Sequence, residues 1–112
     1  MRILRRGELY WAELPSPAGR RPVLVVLRNE AIKRTSRVVV APVSSNVRQL
    51  ESEVPVGRGE GLPYESAARC DGLQAIDRRS VEPRPLGHLG SAKLRTLDEA
   101  FRYALDIRCP PP

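Results

Sequence analysis

The sequence predicts an α+β fold, a small curled antiparallel sheet covered by one C-terminal helix. Three observations carry this expectation. Short apolar and β-branched runs, each closed by turn residues, occupy the chain up to about Asp77. One long segment alone, Ser91 to Ile107, repeats its apolar residues at helical spacing. No internal repeat or composition break divides the 112 residues, so they are read as a single domain, 1–112.

Gly7 to Leu14, GELYWAEL, interleaves apolar residues with Glu8 and Glu13 and reads as the first strand. Pro15 to Gly19 is a short turn. Arg21 to Arg28 is the second strand. It opens on Arg21-Pro22 and runs through five consecutive apolar residues, and Pro22 suits a first strand position because it need not donate to the ladder. Asn29 to Ser36 is a polar connection to the third strand, Arg37 to Val43, in which Pro42 implies an edge or a bulge. Ser44-Ser45-Asn46 ends that strand. Glu53 to Val56 is a fourth strand and Ser66 to Asp71 a fifth, followed by Gly72 to Asp77. Between them, Gly57-Arg58-Gly59-Glu60-Gly61 reads as a flexible loop. Its glycines lack the Gly-Lys-Ser/Thr and the strand–loop–helix context of a phosphate loop. In the helix, Ser91 is the expected N-cap. Leu94, Leu97, Phe101, Ala104 and Leu105 form the apolar face, and Cys109 to Pro112 ends it.

Composition narrows the function. Nothing approaches the roughly 20 apolar residues of a membrane helix, and the basic start MRILRRG has no apolar segment behind it. A cytoplasmic chain with free Cys70 and Cys109 thiols is the simplest reading, although the pair could bridge. Two cysteines and the single His88 do not assemble a zinc site without carboxylates, so neither metal nor cofactor is expected. The net charge of +6 is uneven. Residues 1–50 hold ten Lys/Arg against three Asp/Glu, and residues 51–112 hold nine against ten. A basic half suits a polyanion, whose phosphates release counterions when lysine and arginine neutralise them.

Most enzyme templates are absent. There is no Gly-x-Ser-x-Gly, no His-Glu-x-x-His and no dinucleotide fingerprint. A two-histidine ribonuclease mechanism is impossible with His88 alone. Glu51-Ser52-Glu53 pairs two carboxylates on an expected surface segment. Polar residues at strand ends remain: Arg20 and Arg21, Ser44 with Ser45 and Asn46, and Arg69 with Asp71. Strand alternation puts Arg69 and Asp71 on one face, as a catalytic pair or simply an ion pair, and Cys70 on the other.

The order of these segments resembles the MazF/PemK toxin endoribonucleases over about Arg6 to Ile107. The opening Arg6-Gly7-Glu8-Leu9-Tyr10-Trp11 resembles that family's Arg-Gly-acid-aliphatic-aromatic start, and Arg21-Pro22-Val23-Leu24-Val25-Val26 its most specific strand. Val40-Ala41-Pro42-Val43-Ser44-Ser45, Gly61 to Ser66, and Arg69-Cys70-Asp71 resemble the later blocks in the right order. The short Pro15–Gly19 loop and Gly72, Gln74 and Ala75 depart from the family pattern, at positions that bear on sequence specificity more than on chemistry.

The resemblance implies an SH3-like, PemK-type curled barrel with a C-terminal helix. It implies sequence-specific, metal-independent cleavage of single-stranded RNA, in which the 2′-hydroxyl attacks the neighbouring phosphorus and leaves a 2′,3′-cyclic phosphate and a 5′-hydroxyl. It implies Arg21, Ser44, Arg69 and Asp71 as catalytic residues. Arg21 acts first as an electrostatic stabiliser, Ser44 as its hydroxyl partner and Asp71 as a candidate base, with proton roles open among Asp71, Arg69 and Arg21. Arg20 is expected to touch phosphate, and Ser45, Asn46 and Gln74 to read bases. A homodimer, and a cognate antitoxin with an acidic C-terminal tail, complete the expectation. The alternatives are a same-fold toxin that binds DNA gyrase without catalysis, and an RNA-binding module without turnover.

Overall fold

A computed structural model describes residues 3–108. The elements run β1 (Glu8–Leu14), β2 (Gly19–Val25), α1 (Asn29–Ile32), β3 (Arg37–Ser44), β4 (Glu53–Val56), β5 (Ser66–Arg69), β6 (Gln74–Asp77), β7 (Val81–His88) and α2 (Ser91–Ala104). All pairings are antiparallel. The strand order is β4-β5-β3-β2-β1-β7, with β6 also on β3. The two ends of that order, β4 and β7, do not pair, so the sheet is open and the expected closed barrel is corrected to a curled open sheet.

The curl follows from apolar residues on both faces of the central strands. Leu9, Leu24, Ala41 and Val43 pack with Val54, Val56, Leu97 and Ala100 in one core, beneath α2. The alternate residues Tyr10, Val23, Val25, Val38 and Val40 pack with Leu4, Ile32, Ile76 and Val81 in a second core. A strand buried on both faces reads as a continuous apolar run, as Pro22 to Leu27 does. Leu97 is fully buried, and its burial stabilises the helix–sheet contact by roughly 2 kcal/mol.

Several expected boundaries move. The second strand begins at Gly19 and ends at Val25, and the polar connection contains α1. Pro42 lies in a central strand, opposite Val23 of β2. The far edge of β3 changes partner at that point, from β6 (Arg37–Val40) to β5 (Val43 and Ser44), so no neighbour there claims the N–H that proline lacks. The helix ends at Ala104 instead of Ile107, and Leu105 is exposed beyond it. Its N-cap is Gly90 rather than Ser91, without a side-chain cap. No helix of the described residues is long and apolar enough to cross a membrane.

Two segments differ in kind. The expected flexible loop at Gly57–Gly61 is an ordered turn. Glu60 is buried there, accepting from the Gly57 N–H at 2.8 Å and from Lys93 Nζ of α2 at 2.8 Å. Gly61 has φ +87°, and a Cβ there would overlap the Leu86 carbonyl oxygen, so glycine is required where this turn presses on β7. β7 itself was not expected. It carries Pro83 and Pro85, and its register against β1 shifts twice.

Candidate active site

The site forms where β2 begins and β3 ends. β2 and β3 pair Val25 with Val40, Leu24 with Ala41 and Val23 with Pro42, and continuing that register brings Arg21 level with Ser44. Both residues line a cleft of about 320 Å³, together with Trp11, Arg20, Ser45 and Tyr64. The cleft lies at the rim of the sheet, so residues of both strand faces reach it. Its lining has no carboxylate. The Arg21 guanidinium donates from Nε and Nη2 to the Ala18 carbonyl oxygen, at 3.3 and 3.2 Å, and forms no ion pair among the described residues. A backbone carbonyl fixes the fork without cancelling its charge.

Ser44 Oγ is an acceptor twice. It takes the Asn46 N–H at 3.1 Å and Arg69 Nη2 at 3.3 Å. With its lone pairs engaged, the hydroxyl proton is free to be donated into the cleft. Arg69 Nη2 also donates to the Asn46 carbonyl at 3.0 Å, so it ties Ser44 to the loop that follows.

Behind Arg69 lies a cluster that sequence reasoning missed. Glu53, expected on the surface, is buried. It accepts from the Arg48 guanidinium and from the N–H groups of Arg48 and Gln49, at 3.0 and 3.1 Å. Arg69 Nε lies 3.9 Å from Oε2, the oxygen that the Arg48 guanidinium also engages, and is buried without a hydrogen bond. Burial pushes the Glu53 carboxyl up, but the donors from Arg48 and Gln49 outweigh it and hold it below the usual carboxylate range. Arg48 also donates to Asp71 at 3.0 Å, which lowers the Asp71 carboxyl too. The direct partner of Asp71 is therefore Arg48, and the simple Arg69–Asp71 ion pair is replaced by a chain running Asp71–Arg48–Glu53–Arg69. Glu53 and Arg48 gave no advance signal, since a carboxylate and an arginine five residues apart on a polar segment match no motif.

The remaining candidates divide. Ser45 lines the cleft and Asn46 supplies backbone contacts beside it. Gln74 sits opposite Val40 on β3, roughly 13 Å along the strand from Ser44, and takes no part in the cleft. The Arg20 guanidinium is bound to Glu82 of β7 and lies over the Trp11 ring. His88 closes β7 opposite Glu8, with Nδ1 3.2 Å from the Leu89 carbonyl. Cys70 is a free buried thiol whose pKa burial pushes up to about 11, and Cys109 lies outside the described residues.

A cleft with a fixed guanidinium and a hydroxyl donor, on an open sheet backed by one helix, has the chemistry that a phosphate ligand requires. Comparison with known proteins narrows that class. Residues 5–105 match the family described as PemK-like, MazF-like toxin of type II toxin–antitoxin systems, and the chain belongs to that family. It is 36% identical over 102 residues to the probable endoribonuclease MazF5 of Mycobacterium tuberculosis, covering 90% of this chain and 92% of that protein. Its fold is similar to the solved M. tuberculosis toxin MazF-mt6, with a TM-score of 0.83 and 32% identity, covering 91% of this chain and 99% of that one. It is also similar in fold to a mycobacterial endoribonuclease solved in complex with its cognate antitoxin, with a TM-score of 0.82 at 22% identity over 96% of this chain and 99% of that one.

Proposed function

We propose that this chain, an endoribonuclease toxin of the MazF/PemK family, cuts single-stranded RNA by internal transesterification at the Arg21–Ser44 cleft. The nucleophile is the substrate's own 2′-hydroxyl, so the protein must supply charge for the phosphorane and routes for two protons. The carrying observation is Arg21, a positioned guanidinium that no carboxylate among the described residues neutralises, in the same cleft as Ser44. Its fork suits two non-bridging phosphate oxygens. Ser44, held as a double acceptor, donates a hydrogen bond to the same phosphate, and water takes the 2′-hydroxyl proton as the 2′-O–P bond forms and returns one to the 5′-oxygen as its bond to phosphorus breaks. Arg69 fixes Ser44, while its own charge lies against Glu53.

The proposal gives Asp71 a positional part. A carboxylate held below its usual range by Arg48 is a weak base, and it serves to anchor Arg48 over Glu53. Metal is not required in this scheme, because guanidinium charge takes the place of a Lewis acid. A homodimer and neutralisation by an antitoxin with an acidic tail belong to the same reading. Support for the antitoxin comes from the net charge of +6 and from the related complex. Light scattering of the purified protein tests the dimer.

The deciding experiment incubates the protein with mixed RNA in EDTA and maps the fragment ends. Discrete fragments with 2′,3′-cyclic phosphate and 5′-hydroxyl ends are expected. Loss of all cleavage in EDTA with recovery in magnesium would overturn the mechanism. Binding without any fragments would return the choice to a non-catalytic module.

A further inference from the structure

Arg21 and Ser44 use one side of the cleft, and its aromatic side has no part in the chemistry above. Trp11, the chain's one tryptophan, lies in β1 opposite Pro22. The Arg20 guanidinium covers its ring, 4.3 Å from the centroid. Glu82 grips that guanidinium edge-on, accepting from Nε and, at 3.0 Å, from Nη2. One face of the guanidinium is thus backed by indole and its edge is closed by a carboxylate. The Arg20 side chain is still 53% exposed. Its charge is paired while its plane is held in place.

The segment Leu62-Pro63-Tyr64 also lines the cleft. Tyr64 is 70% exposed, more than any other exposed large apolar or aromatic residue among those described. Its backbone carbonyl accepts from Ser66 Oγ at 3.1 Å. An open ring at the lip of a cationic cleft contributes nothing to the core.

We propose that this part of the cleft is a nucleobase subsite, in which an unpaired base next to the scissile phosphate stacks on Tyr64 and on the outer face of the Arg20–Trp11 pair. The inference rests on the nuclease reading and deepens it by assigning the substrate's base as well as its phosphate. Single-stranded nucleic acids are held by stacking on aromatic rings and arginine planes, since every base has a π-face. A phosphate contact needs unspent charge, and the charge of Arg20 is spent on Glu82, so Arg20 is reassigned from phosphate contact to stacking surface. Ser45, which lines the same cleft, adds a hydroxyl beside it.

The test uses a short single-stranded RNA whose sequence spans a cut mapped from the protein's own cleavage products, with 2′-deoxyribose at the scissile nucleotide so that it binds uncut. Binding is followed by RNA anisotropy and by Trp11 fluorescence. Tyr64→Ala should weaken binding by about ten-fold, while Tyr64→Phe binds as the unmodified protein does. An abasic nucleotide beside the scissile phosphate should cost the unmodified protein more than this factor and the Tyr64→Ala variant clearly less than it costs the unmodified protein, because that variant has only the Arg20–Trp11 face left to lose. Arg20→Ala should weaken binding without changing its salt dependence, whereas loss of a phosphate contact lowers the salt slope by about one. Unchanged binding by Tyr64→Ala, or losses from the variant and the abasic nucleotide that simply multiply, overturns the subsite. A lowered salt slope for Arg20→Ala restores that residue to a phosphate. Failure of the unmodified protein to cut any RNA overturns the nuclease reading. A protein that cuts RNA but binds it equally well with and without Tyr64 overturns the subsite alone.

Discussion

The arginines around Ser44 are treated in opposite ways. Arg48 and Arg69 sit against the buried carboxylate of Glu53, and Arg48 also holds Asp71. Arg21, at the rim, meets the Ala18 carbonyl and no carboxylate among the described residues. The first group uses its charge to hold the protein together, and the second keeps its charge for a ligand. Counting arginines therefore overstates the positive charge available to a phosphate. Which carboxylate lies nearby decides what each guanidinium can do.

The contrast can be broken at either end. The largest change is expected at the rim, where Arg21→Ala should lower single-turnover cleavage on the order of a hundred-fold or more, as loss of one transition-state donor does. Its urea midpoint should move little, since the lost contacts are two long hydrogen bonds to one carbonyl. A folded Arg21→Ala protein cutting RNA at nearly the normal rate would remove Arg21 from the mechanism.

At the cluster the order reverses, and stability should respond first. Glu53→Ala strips Arg48 and two backbone N–H groups of their acceptor and should cost roughly 3 kcal/mol in urea unfolding. A loss under about 1 kcal/mol, the range of an exposed pair, would mean that water reaches these donors and that the cluster is not structural.

Acidification probes the same carboxylates without mutation. Glu53 and Asp71 are both held below their ordinary range in the folded protein, so on acidification the unfolded chain takes up protons first. Their contribution is complete above about pH 4 to 5 and is lost as pH falls through the folded-state values. Urea midpoints should therefore decline below that range, and less steeply in Glu53→Gln, which has no such proton to bind.

The smallest effect is expected at Asp71→Asn. Its carboxylate is partly exposed, and the pair with Arg48 is worth at most about 1 kcal/mol. Affinity for uncut RNA should hold or rise slightly once a negative charge leaves a phosphate-binding region. A large fall in the rate on bound RNA, with stability unchanged, would make Asp71 the base and overturn its positional role.

Some of this arrangement was legible in the chain because it depends on local order. The recurrence of Leu94, Leu97 and Phe101 specifies an amphipathic helix wherever it packs, and its buried Leu97 and Ala100 follow that spacing. Pro22 sets the start of the apolar run and so places Arg21 at a rim. β7 was not legible, because Pro83 and Pro85 argue against a strand and its pairing depends on β1, more than 60 residues earlier. The turn at Gly57–Gly61 was read as flexible for a similar reason. What orders it is a buried Glu60–Lys93 contact and the close approach of β7, both distant in sequence.

By itself, then, the sequence determined the helix, most of the strands and the types of residue at their ends, since periodicity, proline and glycine act over a few neighbouring residues. Tertiary structure alone decided which arginines remain available. Glu53 meets Arg69 across the β4–β5 ladder, Glu82 of β7 reaches Arg20 of β2 across β1, and no carboxylate among the described residues reaches Arg21. Charge pairing falls off within a few ångströms, and distances of that kind between remote segments exist only after the sheet has curled.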